Sequence, residues 1–272
     1  MTQQIHHFHR HHLAPWMELR VSGPSPHCFR LHAHDEYSIG IVDHGSAVFH
    51  HADGPERVNK GSIVLIEPGR WHACNPDQVT DWAYRMLFVR AEWVHEQLQA
   101  TSMTFPQRAL HDAKLGATVD RLCRPLDGQQ AGVTSHVRLL RDFLQHVSSL
   151  SVADEEKNTS SFHAVREALE TLHRHPGAAT SVQSLAQATG MSASRFIRHF
   201  KAATGVTPGA YRLNLRLNGA RRLLAQGMHL ADAAHCMGFA DQAHMQRAFK
   251  AHHSLTPGNY ASAAEAPEAR TG

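Results

Sequence analysis

One stretch of this chain occurs twice. SLAQATGMSASRFIRHFKAATGVTPGAY (184–211) returns, altered but in register, as DAAHCMGFADQAHMQRAFKAHHSLTPGNY (232–260). At an offset of 48, Ala186 matches Ala234 and Gly190 matches Gly238. One residue is then inserted. At an offset of 49, Arg198 matches Arg247, Phe200 matches Phe249, and Lys201 matches Lys250. Thr207-Pro208-Gly209 and Tyr211 match Thr256-Pro257-Gly258 and Tyr260. A repeat of this kind marks one supersecondary unit used twice.

Each copy has the parts of a helix-turn-helix. A short helix, 182–189 or 230–237, runs into a glycine, Gly190 or Gly238, that can take the left-handed conformation of a tight turn. Ser192 and Asp241 are placed to cap the helix that follows. That helix carries an apolar stripe: Phe196 and Phe200 with Ile197 nearby, or Met245 with Phe249. Its other face is polar: Ser194, Arg195 and Arg198, or Gln242, His244, Gln246 and Arg247. Arginine and glutamine read guanine and adenine edges bidentately in the major groove, so Arg198 and Gln242 are candidates for base reading. Lys201 and Lys250 lie towards the helix ends, where phosphates are expected. Between the copies, 208–225 reads as one helix with proline near its start. Its 18 residues make a strut of about 27 Å, which suits successive major grooves about 34 Å apart.

Charge points the same way. The chain is only +3 in total. Residues 160–262 hold eleven Lys/Arg against four acids, and residues 1–159 hold fifteen against eighteen. A segment at +7 beside one at −3 suggests that the former meets a polyanion.

On these residues the C-terminal segment resembles the DNA-binding domain of the AraC/XylS family of bacterial regulators. The first copy's Leu185-Ala186, Gly190, Phe200-Lys201, Thr207-Pro208 and Tyr211 carry the resemblance, with Arg221, Leu223 and Leu224 after them. Gly238-Phe239, Asp241-Gln242 and Phe249-Lys250 carry it in the second copy. It covers about 100 of the 272 residues. Two departures stand out: the family usually has glycine where Ser254 sits, and a larger residue, usually phenylalanine, where Met245 sits. The resemblance implies a sequence-specific transcription regulator of the activating kind. Its partners would be double-stranded DNA, RNA polymerase and a second copy of the chain.

The first half reads differently. Residues 17–90 contain short runs rich in Val, Ile and Phe (HCFRLH, EYSIGIV, SAVFHH, SIVLIEP, YRMLFV), broken by turn residues as in a barrel or sandwich. From residue 92 the spacing becomes helical: Leu110, Leu115, Val119 and Leu122, then Val137, Leu140, Leu144 and Val147. Leu139, Leu140, Phe143, Leu144 and Val147 form a wide stripe suited to a homodimer contact, or to packing on the barrel.

HAHDEYSIGIVDHG (32–45) and GSIVLIEPGRWHACNP (61–76) resemble the two halves of a cupin barrel, as in sensor domains of the same family. The resemblance implies a pocket for a small-molecule effector, lined by His32, His34, Glu36, Trp71, His72, Tyr84 and Arg85, with Trp82 nearby. His32 and His34 share one strand face, and His72 follows Pro68-Gly69. With Glu36, which is nearer than the usual acid, three imidazoles would suit Zn²⁺, Fe²⁺ or Mn²⁺. The reading preferred is a pocket for an organic ligand, without metal, cofactor or catalytic residues. Cys28 and Cys74 are further candidates to face inward, and Arg85 could receive a carboxylate or join a surface ion pair.

The expected class is α+β. A His-rich leader (1–14) precedes a cupin-like β-barrel (15–104), connecting helices (105–150), a polar linker (151–161), an all-α domain with two helix-turn-helix units (162–262) and a flexible tail (263–272). The leader packs five histidines into 6–12 and reads as solvated coil. It lacks the apolar core of a secretory signal, and no run approaches 18 apolar residues, so a cytoplasmic protein with free thiols is expected. The competing functions are a metal-responsive regulator and a cupin enzyme fused to a DNA-binding domain.

Overall fold

The structure, a computed structural model, describes residues 6–24, 31–78, 80–126, 129–151 and 160–262. The core of the expected linker, the tail after 262, Cys28 and most of the HCFRLH run lie outside the described residues. The chain forms two compact units, the first holding the described residues up to 151 and the second residues 160–261.

The N-terminal unit runs β1 (His6–His9), β2 (Met17–Ser22), β3 (Glu36–His44), β4 (Ser46–His51), β5 (Gly54–Asn59), β6 (Ile63–Ile66), β7 (Ala73–Pro76) and β8 (Ala83–Arg90). Then come α1 (Ala91–Leu98), β9 (Ser102–Thr104), β10 (Ala109–Leu110), α2 (Ala113–Leu122), α3 (Gln130–Val147) and β11 (Ser149–Ser151). Among the described residues the strands do not close into one barrel. They form an antiparallel sheet in the order β1-β2-β8-β3-β6-β10, a smaller sheet β5-β4-β7, and the pair β11-β9.

The main sheet is buried on both faces. From β6, Ile63 and Leu65 point to one side and Val64 and Ile66 to the other; all four are buried. A central strand covered twice reads as a continuous apolar run rather than an alternating one. On one side Ile39, Leu65, Leu87 and Val89 pack against Val94, Val119, Leu122, Leu140, Phe143 and Leu144 of the three helices. On the other, Val42, Val64, Ile66 and Trp82 meet Ala47, Phe49 and Val58 of the smaller sheet.

Two expectations change here. The stripe on α3 is spent inside the unit: Leu140, Phe143 and Leu144 are buried, and Leu139 and Val147 pack against the same core. Each such buried side chain contributes about 1.5–3 kcal/mol, so freeing the stripe for a second copy would cost the unit its own core. The leader also differs from solvated coil. His6–His9 is a strand paired with β2, in the register His6↔Ser22 to His9↔Leu19. His6 and Phe8 point inward and His7 outward, a period of two hidden in a run that looks merely polar. The His6 Nδ1 lies 2.8 Å from the Ser22 hydroxyl.

The C-terminal unit is α4 (Ser160–Arg174), α5 (Val182–Ala188), α6 (Ala193–Thr204), α7 (Pro208–Ala225), α8 (Leu230–Cys236), α9 (Gln242–His253) and α10 (Pro257–Ser262). The central helix has the bounds expected from sequence, with Pro208 in its first turn and the Thr207 hydroxyl accepting from the Ala210 N–H. Phe196 and Phe200 anchor a core with Val165, Ala168, Leu169, Leu172, Leu185 and Leu215. No helix among the described residues is long and apolar enough to cross a membrane.

Candidate functional site

The C-terminal unit presents α6 and α9 in matching local settings. Gly190 and Gly238 both have φ of 67°, the left-handed turn that L side chains avoid. Ser192 Oγ accepts the Arg195 N–H, and Asp241 Oδ1 accepts the His244 N–H at 2.6 Å, so both caps form as expected. Phe196 and Phe200 on α6, and Met245 and Phe249 on α9, are fully buried. That leaves Ser194, Arg195, Arg198 and Lys201 exposed on α6. Gln242, Arg247 and Lys250 are exposed on α9, while His244 and Gln246 are half-buried. His244 stands edge-on to the Phe239 ring, 5.4 Å away, which ties it to the turn. Among the described residues neither Arg198 nor Arg247 joins an ion pair.

Not all of the basic surplus faces outward. Arg212 donates to the Thr180 carbonyl. Arg216 donates to the Met237 carbonyl and lies over the Phe239 ring, 4.1 Å from its centre. Arg221 is buried. These three arginines belong to the framework of α7. Conversely, Ile197, which the sequence placed beside the apolar stripe, is 36% exposed on α6. One residue is roughly 100° of helix, so Ile197 sits between the buried Phe196 side and the Arg198 side. That angle was the signal available in the sequence.

In the N-terminal unit a cavity of about 40 Å³ lies between the sheets. His32, His34, His72, Tyr84 and Arg85 line it, as do Cys74 and Trp82. Val42, Val64, Ile66, Met86 and Phe88 supply apolar wall. The histidine segments are stitched together: the His32 and His72 amides donate to each other's carbonyls at 3.0 and 2.8 Å, and the Gly69 N–H donates to the His34 carbonyl at 2.7 Å. All three imidazoles are buried, with one ligand atom of each within 4.8 Å of the others. The His72 Nδ1 faces the Arg70 carbonyl at 2.9 Å. A carbonyl only accepts, so Nδ1 carries the proton and Nε2 the lone pair. Burial pushes the His72 imidazole down to about 4, the Arg70 hydrogen bond opposing it, and pushes the Cys74 thiol up to about 12.

Three expected lining residues behave otherwise. Glu36 opens β3 opposite Arg90 and is not in the cavity wall. Trp71 lines a separate space of about 10 Å³ with Phe49, His51 and Arg108. Arg85 reaches the cavity, but Asp43 and Asp120 hold its guanidinium at 2.7 and 2.8 Å, and the Asp120 and Cys123 carbonyls also accept from it. Asp43 above all keeps its pKa above the ordinary value. It is a clasp between β8, β3 and α2, and its carboxylates lie too far off in sequence for the pairing to be read there. Arg20 was not foreseen. It is buried on β2, lines the cavity, and stands 5.6 Å from the Tyr84 ring centre. Its place in the alternation of β2 was the only sequence sign.

Comparison with known proteins agrees with this layout. The family described as AraC-like ligand binding domain matches residues 17–140. The family described as Helix-turn-helix domain matches residues 185–263. The uncharacterized HTH-type transcriptional regulator YbfI of Bacillus subtilis is 27% identical over 225 residues, covering 80% of this chain and 81% of that one. The HTH-type transcriptional activator RhaS of Escherichia fergusonii is 25% identical over 241 residues, covering 84% and 86%. Among solved structures, apo ToxT K231A from Vibrio cholerae superposes with a TM-score of 0.59 over 91% of this chain and 97% of that one, at 14% identity, a likeness of fold. The chain belongs to the AraC family of transcriptional regulators, with an AraC-like ligand-binding domain followed by a DNA-binding helix-turn-helix domain.

Proposed function

We propose that this regulator is an activator whose DNA binding is set by a small molecule held in the cavity between the two sheets. The observation that carries this reading is the convergence of polar groups on one cavity: buried Arg20 and three buried imidazoles, with half-buried Tyr84, against apolar walls. Pockets with few, well-placed polar groups in an apolar lining are where small ligands bind. Arg20 favours a ligand with a negatively charged end. Activation is supported by the relative named as a transcriptional activator, and an activator would have RNA polymerase as its partner. Homodimerisation has no support from the α3 stripe and would need another surface.

On the DNA side, Arg198 and Gln242 read bases in separate half-sites, with Ser194, Arg195, His244, Gln246 and Arg247 beside them. Ile197 adds an apolar contact of the kind that recognises the thymine methyl. Lys201 and Lys250 hold phosphates.

The test is a melting-temperature screen of small organic anions on the full chain, followed by binding of its own promoter fragment with each hit. A hit is expected to raise the melting temperature and change DNA affinity, and Arg20→Met to abolish both effects. DNA binding that no stabilising anion alters, or an effect untouched in Arg20→Met, would overturn the reading.

A further inference from the structure

We propose that Met86, laid across Gly40 in the cavity wall, sets the chain length of a straight-chain carboxylate bound at Arg20. This rests on the pocket reading above and adds the class of the small molecule and the side chain that measures it.

Gly40 is a glycine that the backbone does not require. It lies inside β3, where glycine weakens a strand, and its φ is outside the left-handed region. What the position requires is room. A Cβ there would stand 2.7 Å from the Met86 Cε and 2.9 Å from its Sδ, well inside contact distance. The Arg85 carbonyl, at 3.3 Å, would be merely tight. The thioether of Met86 thus fills the place of the missing side chain, and both residues line the cavity.

The register puts this contact in line with the cation. Arg20 pairs with Met86, Met86 with Gly40, and Gly40 with Val64, across the adjacent strands β2, β8, β3 and β6. Strands lie about 4.8 Å apart, so the row spans about 14 Å. Arg20 is buried, with its guanidinium 5.6 Å from the ring centres of both Phe8 and Tyr84. A carboxylate seated on it meets Met86 and Gly40 next, with Val64 and Ile66 beyond them in the cavity wall. The row is charged at one end and hydrocarbon along the rest, which matches a carboxylate with an alkyl tail.

Size then fixes the length. A water needs roughly 10–15 Å³, so the cavity of about 40 Å³ holds about three groups of that size. That suits a carboxylate with one or two further carbons, and the next carbon meets the thioether. Val64 and Ile66 are β-branched and stiff. Met86 is unbranched, so it is the part of this wall that can be trimmed or displaced without disturbing its strand.

The probes are the straight-chain acids from acetate to octanoate, each added to full-length protein while the melting temperature is followed. Wild type should be stabilised most by propionate, and not by hexanoate or longer acids. Met86→Ala removes about three heavy atoms and should move the optimum about three carbons longer. Gly40→Ala drives the thioether into the cavity and should abolish the response beyond acetate. Arg20→Met should lose it at every length. In wild type with methyl-labelled methionine, propionate should shift one signal, identified as Met86 by its absence in Met86→Leu. That measurement decides should Met86→Ala or Gly40→Ala fail to fold. An unchanged length preference in Met86→Ala, or a Met86 methyl that ignores propionate, would overturn the proposal and leave the effector pocket standing. No stabilisation of wild type by any of these acids would also overturn it, and a different anion whose effect needs Arg20 would then show that the pocket reading survives.

Discussion

The two helix-turn-helix units share a backbone but not a setting. Both turn at a glycine with φ of 67°, and both cap the second helix with a side-chain oxygen. Around Gly190 there is open space. A Cβ at Gly238 would run into the Gly177 carbonyl, and one at Gly177 into the Cys236 carbonyl. The second turn is also pinned to α7, because Arg216 holds the Met237 carbonyl and covers Phe239, while the Met237 sulfur presses on Gly219. The outer faces differ as well. Arg195, Arg198 and Lys201 give α6 the more cationic outer face, and α9 exposes Gln242 with Arg247 and Lys250. A duplicated sequence thus keeps its local geometry while one copy becomes a packing joint. The turn of the first unit has open space around its glycine, while the turn of the second is packed against its neighbours.

The largest expected effect tests that asymmetry. Gly238→Ala adds a backbone collision to left-handed strain and should destabilise by about 3 kcal/mol or more. Gly190→Ala carries the strain alone and should cost about 1 kcal/mol. Urea unfolding followed by a helix signal would measure both; equal losses would break the comparison.

Next is base reading. Arg198→Ala and Gln242→Ala should each lose roughly 1–3 kcal/mol of discrimination at one position, in different half-sites, with little change in nonspecific affinity. Binding-site selection on each variant is the measurement. The wild-type motif returned at full preference by Arg198→Ala would remove α6 from the reading surface.

Lys201→Ala and Lys250→Ala should instead weaken binding to all sequences and lower the slope of log affinity against log salt by about 1 each. A salt titration in which either variant keeps the wild-type slope would take that lysine off the phosphates.

The smallest effect concerns the helix ends. Gly205 closes α6 with φ of 82°, and at the equivalent place Ser254 closes α9 with φ of 60°. Ser254→Gly should relieve strain and stabilise by about 0.5 kcal/mol, because only glycine takes this conformation at little steric cost. Thermal unfolding should show a small rise, and a fall would mean that Ser254 gains more from its own contacts than it loses in strain.

Much of this was legible where the signal is local. Turn glycines, caps and the bounds of α7 follow from residues a few positions apart, and the repeat doubled every sign. The histidines were found because they sit in two short motifs. What escaped depends on distant partners. Arg85 could take a ligand carboxylate or join an ion pair, and the pairing with Asp43 and Asp120 appears only in the fold. Arg20 reads as an ordinary surface cation until β1 and β8 flank it in the sheet. The α3 stripe could pair with another copy or with its own sheet, and only the fold decides. Ile197 was missed by treating two adjacent apolar residues as one stripe, against the helical angle.

The sheet between cavity and helices is a single layer, and along 63–66 and 86–89 the numbering itself sorts the residues. On β6 and β8, Val64, Ile66, Met86 and Phe88 face the cavity, while Ile63, Leu65, Leu87 and Val89 face the helices. Even positions can therefore change the shape of the cavity one substitution at a time. Odd positions keep the helical layer seated meanwhile. The price is that no even residue can grow much without bowing a wall whose other side is already full, so drift in ligand preference is expected to proceed by swaps of equal volume.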